Sequence, residues 1–156
     1  MMVEVTAIAR GRASAGIVAA LVLLTAGGCG GSSTELDALK ADPMASYEPP
    51  GGELLDTRSQ GPGSALGKPI LARYQRRFRM PRGDPQAQLD AALRAASDAG
   101  WDVSDDPVYR FMGSLTQLAT KQLPTGGARL SVSVYTDGSP GGSVPGRGLV
   151  VSLHHS

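Results

Sequence analysis

Alternating apolar and polar residues predict strands in the second half of the chain. In residues 70–80, apolar side chains fall mainly on one face, and arginine and glutamine fall mainly on the other. This period of two is typical of a half-buried strand. The same alternation recurs in residues 130–135 and 148–154. We therefore expect a sheet with one buried and one solvated face.

A helical period separates the first strand from the others. Asp84 is a good N-cap, Pro85 suits the first helical position, and Gly100 is a natural C-terminal stop before Trp101. We expect Trp101 to fold back onto the helix or the sheet. One face of the helix carries apolar residues at the spacing of an amphipathic helix: Leu89, Ala92, Leu93 and Ala96.

Residues 108–123 are ambiguous, because their apolar positions would also suit a helical face. We favour a strand at 115–123, since residues 124–127 (Pro-Thr-Gly-Gly) have strong turn chemistry and precede an alternating segment. The resulting order is β-α-β-β-β. It predicts a small two-layer α+β domain over residues 70–156, in which an antiparallel sheet of about four strands packs on one helix.

Residues 29–69 differ in composition from the rest of the chain. They are rich in Gly, Pro and Ser, and they offer only a short helix at 35–40, capped by Ser33 or Thr34, and a strand fragment at 53–56. So short a helix needs docking to be stable. We therefore expect residues 29–69 to be a flexible, mostly extended segment that tethers the domain.

Composition limits the function. A chain of 156 residues forms about one domain of ordinary size. Its 15 basic and 14 acidic residues give a formal net charge of +1, which is too balanced for the electrostatic footprint of a nucleic-acid-binding protein. We expect no nucleic-acid partner.

The N-terminal segment has the pattern of an export signal. Arg10 and Arg12 precede residues 13–26, which carry no charge and are densest in Ile, Val and Leu. A transmembrane helix needs about 20 predominantly apolar residues, and this segment is shorter. We therefore predict a signal peptide at residues 1–28.

The residues that follow resemble the lipobox of bacterial lipoproteins. Residues 24–29 read Leu-Thr-Ala-Gly-Gly-Cys, with small residues directly before Cys29, although Ala26 stands where that family usually has Leu. The resemblance implies that the thiol of Cys29 receives diacylglycerol and that a signal peptidase cuts before it. In its Gly, Ala and Arg usage the chain also resembles small lipoproteins of high-GC Gram-positive bacteria.

Cys29 is the only cysteine in the chain, so no internal disulfide is possible, and acylation would account for a lone thiol in an exported protein. The alternative is ordinary secretion, with cleavage near residues 26–28 and a thiol left near the terminus. Cleavage before Cys29 would remove Glu4, Arg10 and Arg12 and leave equal numbers of basic and acidic residues. The lipid itself would then anchor the protein to the extracytoplasmic side of the cell membrane.

One local concentration of charge is a candidate binding site. Its guanidinium groups could bind phosphate, carboxylate, an anionic envelope polymer or an envelope protein. The alternative is a solvated strand face whose charges discourage aggregation. The candidate residues are Arg73, Arg76, Arg77 and Arg79, with Arg82 just beyond them.

Other candidates for chemistry are weaker. His154 and His155 are adjacent on a strand, so their side chains point to opposite faces and cannot easily share a metal ion. Asp102, Asp105 and Asp106 are explained more simply by turn formation, and no Gly-x-Ser-x-Gly motif is present. We expect no metal or cofactor and a non-catalytic binding or interaction module. A small envelope hydrolase and a structural spacer without a ligand are the alternatives.

Overall fold

The computed structural model describes residues 33–137 and 147–156. Its helices are α1 (Thr34–Ala41), a 3-10 helix (Pro43–Ser46) and α2 (Pro85–Asp98). Its strands are β1 (Glu53–Gln60), β2 (Gly63–Ala65), β3 (Lys68–Ile70), β4 (Arg73–Arg79), β5 (Asp102–Val103), β6 (Tyr109–Phe111), β7 (Ser114–Leu123), β8 (Gly126–Tyr135) and β9 (Gly148–His155).

The main sheet is antiparallel and larger than expected. Seven strands form it in the order β1-β4-β9-β8-β7-β5, and β6 also pairs with β7. The prediction of a small α+β domain is confirmed. The prediction of about four strands and one helix is corrected to seven strands and two α-helices among the described residues. The additional strands β5 and β6 are only two and three residues long, too short to show an alternating pattern.

One predicted strand is confirmed, and another begins later than its pattern indicates. Residues 115–123 lie in β7, which pairs with β8 across a two-residue connection, so the strand interpretation is confirmed. Ile70, expected in the same strand as Tyr74, instead ends β3, which forms a separate hairpin with β2. The strand that follows therefore begins at Arg73.

Helix α2 begins and ends as predicted. The Asp84 side chain accepts a hydrogen bond from the Gln86 backbone N–H at 3.0 Å, and Pro85 occupies the first turn. At the other end Gly100 has φ +82°, and the Trp101 N–H donates to the Ala96 carbonyl at 3.0 Å. This is a Schellman cap, which turns the buried Trp101 back toward the core.

The folded unit begins well before residue 70. Ser33 caps α1 as predicted, and Leu36, Leu39 and Met44 are buried in the same core as α2 and the sheet. Strand β1 then pairs with β4 and extends the main sheet. The expected division into a mostly extended segment at 29–69 and a domain at 70–156 is therefore corrected, because residues 34–60 form part of the domain.

Both helices pack against the same face of the sheet. All the strand residues in the single core cluster point to one side; they include Leu130, Val132, Leu149 and Leu153, and we call this side the inner face. The buried Val150 has the opposite orientation and is not part of that cluster. We call the opposite side the outer face. None of the described helices contributes a core residue to it.

Candidate functional site

The outer face is predominantly polar, because alternate residues of each strand point away from the helices. Its side chains align in rows, since directly paired residues on neighbouring strands share a face. One such row contains Gln75, Ser152 and Ser131, and the Gln75 amide donates to the Ser152 hydroxyl at 2.9 Å. The predicted arginines are distributed among several of these rows and across both faces.

Arg77 points to the outer face and is held by Asp56 of β1. Its Nε donates to Asp56 Oδ1 at 2.7 Å, and its Nη2 donates to Asp56 Oδ2. The hydrogen bonds from Arg77 hold the pKa of the Asp56 carboxyl below its ordinary value, and the same contact raises the pKa of Arg77. This guanidinium is largely buried and bound within the protein.

Arg76 points to the inner face, as its position in the alternation indicates. It is buried, and it donates to the carbonyl oxygens of Tyr47 at 2.9 Å and Ala45 at 3.4 Å. Its guanidinium also lies 3.5 Å from the exposed Glu48 carboxylate and 5.0 Å from the centre of the Phe78 ring. Arg76 therefore stabilises the packing of the segment after α1 against the sheet. It does not lie on a common ligand-binding surface with the other arginines.

The remaining two predicted arginines are exposed but differ in their surroundings. Arg79 donates to Glu53 Oε2 at 2.7 Å in a solvated ion pair on the edge of the sheet. Arg73, at the start of β4, has no carboxylate within ion-pair distance among the described residues. Only Arg73 of the four thus presents a guanidinium available to a ligand.

Arg73 belongs to a group that the sequence analysis did not assemble. His154 of β9 lies directly opposite Arg73 on one side and directly opposite Arg129 of β8 on the other. We call Arg73, His154 and Arg129 the basic row. The alternation around Leu130 assigns Arg129 to the outer face, but its neighbours follow only from the strand order.

The surroundings of His154, the central residue of the basic row, lower the pKa of its imidazole. His154 is half-buried, and burial lowers the pKa of its imidazole, with further lowering by the positive charges of Arg73 and Arg129. Both flanking arginines are exposed. At neutral pH the row therefore consists of two permanent cations on either side of an imidazole held in its neutral form.

Two polar hollows adjoin the ends of the row. One, of about 570 Å³, is lined by Arg73 and by side chains of β1 and β4 that include Arg58 and Gln60. The other, of about 390 Å³, is lined by Arg129, Thr120 and Asp102 among others. Of the described residues that line the two hollows, only Asp102 is acidic.

The two histidines do not form a metal pair. The ring of His155 points away from the basic row, and its Nε2 lies 3.1 Å from the Thr125 carbonyl oxygen. Both residues lie in β9 and are paired with residues of β8, so this end of the strand is not frayed. Within the described part of the chain, no group of three or more His, Cys, Asp or Glu side chains is placed to hold a metal ion.

The acidic turn is also separate from His154. Asp102 is three strand positions away, because β8 and β7 lie between β5 and β9. At about 4.8 Å per strand spacing, this places the two backbones about 14 Å apart, too far for a hydrogen bond. Asp106 instead bonds to Ser104 within its own turn, at 2.8 Å. This geometry does not assemble a hydrolytic dyad from His154 and the acidic turn.

A second surface feature lies on the outer face where β6 pairs with β7. Tyr109 and Phe111 of β6 are exposed, and their rings stack with centroids 6.1 Å apart. Met112 in the following turn and Leu118 of β7 are also exposed. We call these four residues the aromatic corner.

Three further findings bear on identity. The predicted signal peptide and the residues that resemble a lipobox, with Cys29, lie outside the described residues. Over the residues described, no helix has both the length and the apolar character needed to cross a membrane. Comparison of the chain with protein-family models, curated proteins and solved structures gave no match.

Proposed function

We propose that this protein is an envelope lipoprotein, acylated at Cys29 and facing the extracytoplasmic side of the cell membrane, whose domain binds a ligand on the outer face of its sheet. The anchoring half is supported by the charge-free apolar segment that ends in small residues and the sole cysteine. The binding half is supported by one observation above others. Two exposed arginines flank His154, neither with a carboxylate partner among residues 33–137 and 147–156, on a sheet face to which no described helix contributes core residues.

The position of the first helix adds a geometric consequence. Helix α1 begins at Thr34, five residues after Cys29. An extended chain spans at most about 3.5 Å per residue, so acylation would hold the start of α1 within about 17 Å of the lipid-bearing residue. A domain on so short a connection works beside the bilayer. Two acyl chains would suffice for stable attachment.

Binding is favoured over catalysis by the placement of the reactive groups. The histidine on the outer face is flanked by arginines, and the acidic turn lies about 14 Å from it, as estimated from the strand spacing. A general base needs a partner at hydrogen-bond distance. A row of cations instead suits recognition of an anion.

Metabolic labelling with an alkyne analogue of palmitate tests the anchor. The chain should incorporate the label and partition into the detergent phase, and intact mass should place the diacylglycerol on a chain that begins at Cys29. The matched variant Cys29→Ser should carry no label. Release of unlabelled wild-type protein into the medium, cut near residues 26–28, would replace this proposal with ordinary secretion.

Site-specific photo-crosslinking tests the binding face. A photoreactive amino acid in place of Leu118, which is exposed on the outer face, should form an adduct with an envelope component in intact cells. The same probe in place of Arg94, exposed on α2, is the control. Equal crosslinking at both positions, or none at Leu118, would argue for a spacer without a ligand.

A further inference from the structure

We propose that the basic row is a phosphate-binding site, in which Arg73 and Arg129 bind one phosphate group from two sides above the ring of His154. The inference rests on the proposed function, because it names the ligand chemistry of the same outer face. It does not depend on how the protein is anchored. The phosphate group belongs either to a phospholipid headgroup or to a soluble phosphate ester, since the two share the chemistry that the row recognises.

Strand pairing brings the three side chains together. Arg73, His154 and Arg129 occupy directly opposed positions on three consecutive strands, β4, β9 and β8. Directly opposed side chains have Cβ atoms about 4.5–5.5 Å apart, so the two arginines originate about 10 Å apart on the same face. Arginine side chains are long enough to converge over the intervening imidazole from that separation.

The charges of the row are not neutralised from within the described structure. Arg77 and Arg79, further along β4, and Arg58 of β1 each contact a carboxylate. Arg73 and Arg129 have no such contact among residues 33–137 and 147–156. The two guanidinium groups lie on the strands either side of β9, so an anion seated between them would be attracted by both.

The surroundings of the row provide further hydrogen-bonding groups and little negative charge. Gln60 of β1 is paired with Arg73 at one end, and Thr120 of β7 is paired with Arg129 at the other. Asp102 lies beyond Thr120 on β5, separated from His154 by two intervening strands. The arginines on the two strands beside β9 are the charged groups that lower the pKa of His154.

The number of donors favours phosphate over carboxylate. Each guanidinium offers five N–H groups in a planar fork, and one such fork already satisfies both oxygens of a carboxylate. Two forks and an imidazole N–H instead match a group with three or four oxygens and more than one negative charge. His154 provides a readout, because a bound anion stabilises the imidazolium and raises the pKa that the arginines lower.

The experiment titrates inorganic phosphate into the full chain in a nonionic detergent, at constant ionic strength maintained with sodium chloride. Histidine ring signals are followed by NMR as a function of pH. The pKa of His154 should rise saturably with phosphate, whereas that of His155, on the other face, should stay unchanged. Arg73→Gln and Arg129→Gln should each weaken phosphate binding at least tenfold. Arg82→Gln, which removes an exposed arginine outside the row, should leave it unchanged.

Two further arms identify the source of the phosphate. Preference for phosphatidic acid, whose headgroup is a phosphomonoester, over phosphatidylcholine vesicles that is lost in Arg73→Gln assigns a lipid headgroup. Binding of glycerol phosphate without that preference assigns a soluble ester. An equal response to acetate, or no change of the His154 pKa with phosphate, overturns the proposal. Palmitate labelling at Cys29 is read separately, so failure of the phosphate site and failure of the anchor are distinguishable.

Discussion

Lys121 of β7 and Asp42, at the end of α1, form an ion pair in which Nζ lies 2.7 Å from Oδ2. The Asp42 side chain is almost completely buried, and its other oxygen accepts from Trp101 Nε1 at 3.0 Å and from the Met44 N–H at 2.9 Å. Lys121 also donates to the Ala99 carbonyl. This cluster joins three elements that lie far apart in the sequence, and it explains why the domain includes α1.

Substitution of Lys121 by Met should destabilise the protein strongly. It leaves the Asp42 carboxylate buried without its cation, a type of change that costs about 3–5 kcal/mol in buried pairs and less when, as here, Lys121 is partly exposed. Urea unfolding followed by the fluorescence of Trp101, the single tryptophan, measures the loss. The control Lys68→Met removes an exposed lysine of β3. Equal unfolding midpoints for the two variants would contradict a structural role for the pair.

The Asp56 and Arg77 pair should make stability depend on acid pH. The pKa of Asp56 is lowered in the folded state, so the contribution of the pair is present above the ordinary value of 3.8 and is lost as the pH falls through the folded-state pKa. Asp56→Asn should therefore be less stable than the wild type at pH 7, and the difference should shrink below about pH 3.8. A difference that is constant with pH would exclude this linkage.

His154 should also make stability fall on acidification, in a pH range that begins nearer neutrality. Burial and the two neighbouring arginines lower its pKa below 6.5, so the unfolded chain binds a proton before the folded protein does. Stability should be full above pH 6.5 and should fall on acidification below it. Arg129→Gln removes one of the repelling charges and should raise the pKa of His154 in an NMR titration. His155 serves as the internal reference, and an unchanged His154 pKa would show that Arg129 does not contribute to the shift.

Arg76 should be important for stability rather than for ligand binding. Arg76→Met removes the donor to the Tyr47 and Ala45 carbonyl oxygens, and hydrogen bonds to a charged group are worth about 1.5–3 kcal/mol. We expect a loss of about that size in urea unfolding, with phosphate affinity unchanged. Arg82→Met, at an exposed position, should lie within about 0.5 kcal/mol of the wild type. A weakened affinity for phosphate in Arg76→Met would place Arg76 in the ligand site instead.

Local chemistry explains the predictions that succeeded. The cap at Asp84, the stop at Gly100 and the turn at residues 124–127 each depend on residues close together in the chain, and the structure contains all three features. The alternation in residues 70–80 assigned Arg76 and Arg77 to opposite faces for the same reason. The backbone period alone decides which side of a strand a residue faces.

The predictions that were wrong share a different cause. Residues 34–60 contain Gly and Pro and have only short periodic runs, so nothing local distinguishes them from a flexible connection. They fold because α1 packs against β4 and β9, and because Asp42 pairs with Lys121 of β7 and accepts from Trp101. Apolar burial and a buried ion pair with distant residues outweigh the weak helix propensity of an eight-residue segment.

The chain alone thus specified where its main helix and the strands β4, β7, β8 and β9 lie, apart from the start of β4, and where an export signal with a candidate acylation site is expected. Strand order required the tertiary structure, because β4 and β9 are separated by most of the domain and pair only when the whole sheet assembles. That order brings Arg73, His154 and Arg129 side by side. Alternation along a strand carries no information about which strand lies next to it, and a site built across three strands therefore emerges only from long-range pairing.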